Sequence, residues 1–207
     1  MRNSGILMHI TSLPGPYGIG SMGKSAYEFV DFLKEAGQAF WQILPLSPTG
    51  YGDSPYQSCS TFAGNPYLID LEILVYQGLL NQEEAESVIW NGEEGRVDYG
   101  ILYHERSNLL RLAYSRFEDQ AELNDFIRAN ESWIEDYALF MALKNRYDGQ
   151  PWLNWPKELI LRREDAMAAV RQELAEEIRF HCFCQYLFFG QWEKLRRYAN
   201  DKGIKVI

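Results

Sequence analysis

The strongest constraint on this chain is a pair of short apolar runs separated by one amphipathic helix near the N-terminus. Gly5 to Ile10 reads as a strand. Residues 23–36 read as a helix: Ala26, Phe29, Val30 and Leu33 recur at i, i+3, i+4 and i+7, and Gly37 stands at the C′ position. Ala39 to Leu44 (AFWQIL) reads as a second buried strand. A strand, a helix and a strand joined by short connections predict a right-handed parallel βαβ unit, not a hairpin.

The next strand signal is Ile204-Lys205-Val206-Ile207, after Gly203. More than 150 residues separate it from residue 45, where a βα unit normally needs about 30. Most of that stretch reads as helix. Asp70 and Asn81 are N-cap candidates, and Glu84 follows Asn81 at capping-box spacing. Residues 99–117, 121–129 and 131–146 and a long segment from about Glu164 to Asn200 continue the pattern. The sequence therefore predicts an α/β class fold: a parallel β/α fold with a mainly helical insertion, roughly residues 67–156, after the second strand. Neither an internal repeat nor a low-complexity tract is present.

In a parallel β/α fold the loops leaving strand C-termini build the functional face. Two such loops stand out, 11–20 and 45–66. The second opens Pro45 to Leu68, PLSPTGYGDSPYQSCSTFAGNPYL. Tyr51, Tyr56, Phe62 and Tyr67 are interleaved there with Gly50, Gly52, Asp53, Ser54, Gln57, Ser58 and Asn65. Aromatic faces suit the C–H side of a pyranose and short polar groups suit its hydroxyls. A polar loop this long is functional or disordered, and its aromatics argue against disorder.

These segments carry a resemblance. His9-Ile-Thr-Ser-Leu-Pro-Gly-Pro-Tyr-Gly-Ile-Gly20, Trp41 to Leu46, Pro48-Thr-Gly-Tyr-Gly-Asp-Ser-Pro-Tyr-Gln57 and Phe62-Ala-Gly-Asn-Pro-Tyr67 resemble the N-terminal signature of the amylomaltases, bacterial 4-α-glucanotransferases of the α-amylase superfamily. Gly95 to Tyr99, Trp133 to Lys144 and Phe180 to Trp192 match too, so the resemblance covers essentially the whole chain. It implies the N-terminal part of a (β/α)8 TIM barrel, its first three strands. Residues 1–66 would supply strands 1 and 2 with their loops, 67–156 the helical insertion, and 157–207 a barrel helix and the start of strand 3. It implies cleavage of an α-1,4-glucan and transfer of the fragment to another glucan's 4-hydroxyl by a retaining double displacement. It also implies that Tyr56 borders the donor subsite with Ser54 close by, and that Tyr51 and Tyr103 match a second glucan-binding site.

From the residues alone, Tyr56 is either a sugar-binding or a loop-packing aromatic. Tyr103, on a helical stretch, either meets sugar or packs in the core. Asp53 either binds sugar hydroxyls or shapes the Gly52-Asp53-Ser54 turn, the turn being favoured. His9 ends a strand and is either a structural, hydrogen-bonded histidine or a substrate contact. His181, Cys182 and Cys184 look like a fragment of a metal tetrad. However, C-x-C on a helix points its sulfurs to different faces and no second ligand pair exists, so no metal is assigned. Tyr186, Phe188, Phe189 and Trp192 at helical spacing read as core. No nucleotide motif is present, and no cofactor is expected.

Retaining glycosyl transfer needs two carboxylates about 5 Å apart. In the resembling family they come from later barrel strands, so no residue here is carried over as catalytic. The chain is expected to be an N-terminal piece of a glucanotransferase, inactive alone and needing the rest of the barrel. The alternative is a non-catalytic glucan-binding or structural piece acting by itself. The net charge of −9 with no basic tract disfavours nucleic acid and anionic membrane and favours neutral or cationic partners; the resemblance implies maltooligosaccharides and α-1,4-glucans. Three cysteines and no signal-peptide pattern point to the cytoplasm. Ile6, Met8, Phe40, Ile43, Ile204 and Val206 lie on strands a barrel would bury, so the isolated chain is expected to self-associate or aggregate.

Overall fold

The computed structural model describes residues 2–50, 52–90 and 95–207. Three parallel strands form one sheet in the order β1 (Gly5–Leu7), β2 (Phe40–Gln42), β3 (Lys205–Val206). Ile6 pairs with Trp41 and Trp41 with Val206, so these three share one face. Gly5 is required where it stands: a Cβ there would lie 2.5 Å from the Phe40 carbonyl oxygen.

The first strand is shorter than the apolar run Gly5 to Ile10. Met8 N still donates to Gln42 O, but Ile10–Ser12 closes into a 3-10 turn that buries Ile10 completely. The crossover helix α1 (Lys24–Glu35) buries Ala26, Val30 and Leu33. It stops at Gly37, whose φ is +66°, as Gln38 N reaches back to Leu33 O. Phe29 packs edge-on to fully buried Trp41 at 5.1 Å, and Trp41 Nε1 donates to Met8 O at 2.7 Å.

Among the described residues everything between β2 and β3 that is regular is helical. The helices are α2 (Leu71–Tyr76), α3 (Gln82–Glu86), α4 (Tyr99–Ile101), α5 (Ser107–Ser115), α6 (Gln120–Ala129), α7 (Ile134–Arg146), α8 (Lys157–Ile160), α9 (Glu164–Glu173) and α10 (Ala175–Asp201). Asp70 caps α2 by accepting from Ile73 N, and Asn81 with Glu84 forms the capping box of α3. A π-helical turn, Leu102–Arg106, joins α4 to α5.

By contacts the chain divides into two compact units, residues 1–118 with 187–207, and residues 119–186. This division sorts residues by packing, whereas the segments 1–66, 67–156 and 157–207 are expectations that follow from the resemblance, and the division does not test them. In the first unit the last turns of α10 pack on α1: the Tyr198 ring lies 5.0 Å from that of Tyr27, tilted by 58°, and its hydroxyl donates to Asp31, which also pairs with Lys202 at 2.8 Å. The second unit has its own core of Leu139, Leu143, Trp155, Met167 and Val170.

Candidate functional site

The loops after β1 and β2 meet in a cavity of about 130 Å³ in the first unit. His9, Thr11 and Ser12 come from the first loop and Thr49, Asp53 and Asn65 from the second; Tyr67 and Tyr99 complete its polar wall. His9 ties the two strand ends, since Leu44 N donates to its Nδ1 at 3.2 Å. Burial lowers its pKa. His9 is thus a structural, hydrogen-bonded histidine whose ring nonetheless lines the cavity.

The second loop is closed upon itself. Thr49 and Ser58 form an antiparallel bridge, Gly50 N donates to Gln57 O, Asp53 N to Gly50 O and Gln57 N to Ser54 O. Gly52 and Asp53 both take positive φ, +91° and +53°; Asp is one of the few side chains that tolerates this region. The turn brings Asp53 to the cavity wall beside Thr49, whose side chain hydrogen-bonds to its carboxyl. Burial raises the Asp53 pKa, and the Thr49 bond only partly opposes it. Asp53 thus shapes the turn and also lines the cavity.

Ser54 is half-buried on the same turn, and its Oγ accepts from Tyr56 N at 3.4 Å. Tyr56 itself is 75% exposed, which removes loop packing as its role. Tyr103 is 59% exposed on the π-turn, edge-on to His104 at 5.1 Å, so it is not core. Tyr51 lies outside the described residues.

Asp53, Tyr67, Tyr99 and Tyr103 form one electrostatic neighbourhood. The Tyr67 hydroxyl is pushed up to about 12, first by burial and then by Asp53, Tyr103 and Tyr99, with Arg106 opposing. Tyr99 is raised by burial and by Asp53. The two rings lie 6.2 Å apart. Both phenols are therefore neutral at physiological pH and offer a donor and an acceptor each, which suits sugar hydroxyls. Asp53 is the one carboxylate lining the cavity among the described residues.

Sequence reasoning missed Tyr99 as a cavity residue and Arg106 as a buried cation. Arg106 had a signal: Leu102, Arg106, Leu109, Leu110 and Ala113 make a core stripe with one charge in it. Cys182 and Cys184 are buried, and burial lifts the Cys182 thiol to about 12. His181 Nε2 lies 3.1 Å from Asn145 Nδ2. No three His, Cys, Asp or Glu among the described residues come together as a metal set.

The family model described as 4-alpha-glucanotransferase matches residues 8–207. A 4-alpha-glucanotransferase of Clostridium butyricum is 48% identical over 202 residues, 97% of this chain and 42% of that protein. One from Thermus thermophilus is 49% identical over 212 residues, 100% of this chain and 41% of its own. Among solved structures, the Streptococcus agalactiae amylomaltase in complex with acarbose superposes with a TM-score of 0.94 at 46% identity, covering 100% of this chain and 42% of that one. The Corynebacterium glutamicum amylomaltase, at 16% identity and a TM-score of 0.69, shares the fold. The chain thus spans about two fifths of the length of the curated relatives named here.

Proposed function

The chain belongs to the 4-alpha-glucanotransferase family, and from that premise we propose that it supplies the donor-side loops of an enzyme that transfers α-1,4-glucan segments between maltooligosaccharides. In this reading β1, β2 and β3 are the first strands of a (β/α)8 barrel and residues 67–156 are an insertion after the second. Tyr56 borders the donor subsite with Ser54 beside it; Asp53 and Tyr103 meet glucan hydroxyls and rings, and Tyr51 joins Tyr103. Three cysteines without a disulfide agree with a reducing, cytoplasmic setting, and no helix among the described residues is long and apolar enough to cross a membrane.

The observation that carries the reading is the convergence of the two post-strand loops on one cavity of neutral phenols and a single carboxyl. Double displacement needs a nucleophile and an acid/base about 5 Å apart. The cavity offers Asp53 alone, so this chain serves binding, and the carboxylate pair comes from elsewhere in the complete enzyme.

The test is twofold. The purified 207-residue chain, incubated with maltotriose, should release no glucose and form no longer maltodextrins. In the complete enzyme, Tyr56→Ala should lower kcat/KM about tenfold, because aromatic stacking adds roughly 0.5–1.5 kcal/mol beyond burial. Turnover by the chain alone, after a mass check for longer contaminants, refutes the division of labour. Unchanged kinetics in Tyr56→Ala refutes the donor-subsite assignment.

A further inference from the structure

Arg106 is 1% exposed, yet no carboxylate bonds to it directly among the described residues. Its Nη1 donates to Ile69 O and its Nη2 to Tyr17 O, each at 3.3 Å. The guanidinium carbon lies 5.3 Å from the centre of the Trp90 ring, and among the described residues the buried Nε has no partner. Burial lowers its pKa to about 10, so it stays cationic at neutral pH. Asp70 is the nearby counter-charge, but its carboxylate is occupied by Ser21 Oγ at 2.6 Å and Ile73 N at 3.0 Å. A cation held this way is costly, and an apolar residue in the stripe would fill the space more cheaply.

The two carbonyls explain the cost. Tyr17 belongs to the loop after β1, and Ile69 lies just beyond the loop after β2. One planar fork therefore spans both loops that wall the cavity, a geometry lysine's single ammonium does not reproduce. The next residue, Asp70, is fixed as well, its N–H donating to Gln191 Oε1 and its carbonyl accepting from Gln191 Nε2. The π-turn has a consequence here. In an α-helix, residues three apart share a face; the wider i→i+5 turn rotates them apart. Tyr103 thus stays exposed while Arg106 is buried.

We propose that Arg106 is a positioning residue for glucan binding: its fork sets the spacing of the two loops, and the same π-turn presents Tyr103 beside them. The glucan part rests on the functional reading above. The experiment compares Arg106→Lys with Leu33→Ala, a buried control on α1, in the full-length product of the reading frame that contains this chain, at a temperature where all are folded. Arg106→Met is the second variant should the lysine fail to fold.

Two readouts are taken. Amide exchange at Gly20, Asn65 and Leu68, whose N–H groups bond to Thr11, Leu46 and Asn65 carbonyls, should quicken about tenfold beyond the control, as expected for losing charge-assisted bonds. Maltoheptaose affinity should fall about tenfold in the Arg106 variant and stay near wild type in the control. Exchange equal to that of Leu33→Ala overturns the positioning role. Faster exchange with unchanged affinity overturns its link to glucan. If the wild type binds no maltoheptaose, the functional reading fails, and exchange alone decides whether Arg106 positions the loops.

Discussion

Asp53 joins a left-handed backbone to a carboxyl that burial makes harder to ionise. The sign of the consequence follows from linkage. A carboxyl whose folded pKa lies above its unfolded 3.8 loses stability for the fold as the pH rises through that window, because the ionised form is the poorly accommodated one. At pH 7 the full cost is present. Asp53→Asn removes the charge and keeps a side chain that tolerates positive φ. We expect its melting temperature at pH 7 to exceed wild type by about 1–3 °C, the gap narrowing as the pH falls through the raised folded value toward 3.8 and closing below it. Maltooligosaccharide affinity should fall in the same variant. Thermal melts across pH check the first half and titration with maltoheptaose the second; a lower melting temperature at pH 7 contradicts the burial argument. Half of this was legible in sequence, since Gly52-Asp53-Ser54 announces a turn. The destination of the carboxyl was not, because the cavity wall includes Tyr99, nearly fifty positions further on.

Among elements, the long loop after β2 is held at its far end by a close approach. A Cβ at Gly64 would come within 2.0 Å of the Phe188 ring on α10, and Asn65 N is tied to Leu46 O at 2.8 Å. The ring is fully enclosed, so it has little room to yield. Gly64→Ala should destabilise by about 1–3 kcal/mol, the usual result of overpacking. The effect should be non-additive with Phe188→Leu, which opens space for the methyl group; a double-mutant cycle on denaturant melts measures the coupling. Additive losses would mean that the loop end accommodates the methyl without Phe188. The helix stops and caps were readable beforehand: Gly37, Asp70 and the Asn81–Glu84 box are local signals with local causes. The π-turn was not. It arises from long-range demands, a buried Arg106 reaching two carbonyls and an exposed Tyr103, which no period in residues 99–117 records. The first strand was overextended for a related reason. Ile10 continues the apolar run in sequence, but its burial is achieved in a 3-10 turn rather than in the sheet.

For the whole molecule, the sheet has two unlike faces. Ile6, Trp41 and Val206 share the face on which Phe29 of α1 packs against Trp41. Strand alternation places Leu7, Phe40, Gln42, Lys205 and Ile207 on the other. Leu7 is 57% and Ile207 61% exposed there, and Phe40 is half-buried. Gln42 and Lys205 are exposed between them, so this face mixes apolar and polar groups. The outer strands β1 and β3 each offer a further edge of backbone donors and acceptors. Removing one such large aliphatic side chain from water is worth about 1.5–3 kcal/mol, a sizeable part of the 5–15 kcal/mol that holds a domain folded. We therefore expect the isolated 207-residue chain to associate with itself at micromolar concentration. Sedimentation velocity over a dilution series should show a concentration-dependent shift, and Leu7→Glu, on the open face, should reduce it. Association that Leu7→Glu leaves untouched would move the contact to another surface. A monodisperse monomer that melts cooperatively and ignores a hydrophobic dye would show that the open face needs no cover, and with it the argument that these strands are part of a closed barrel would lose its physical basis.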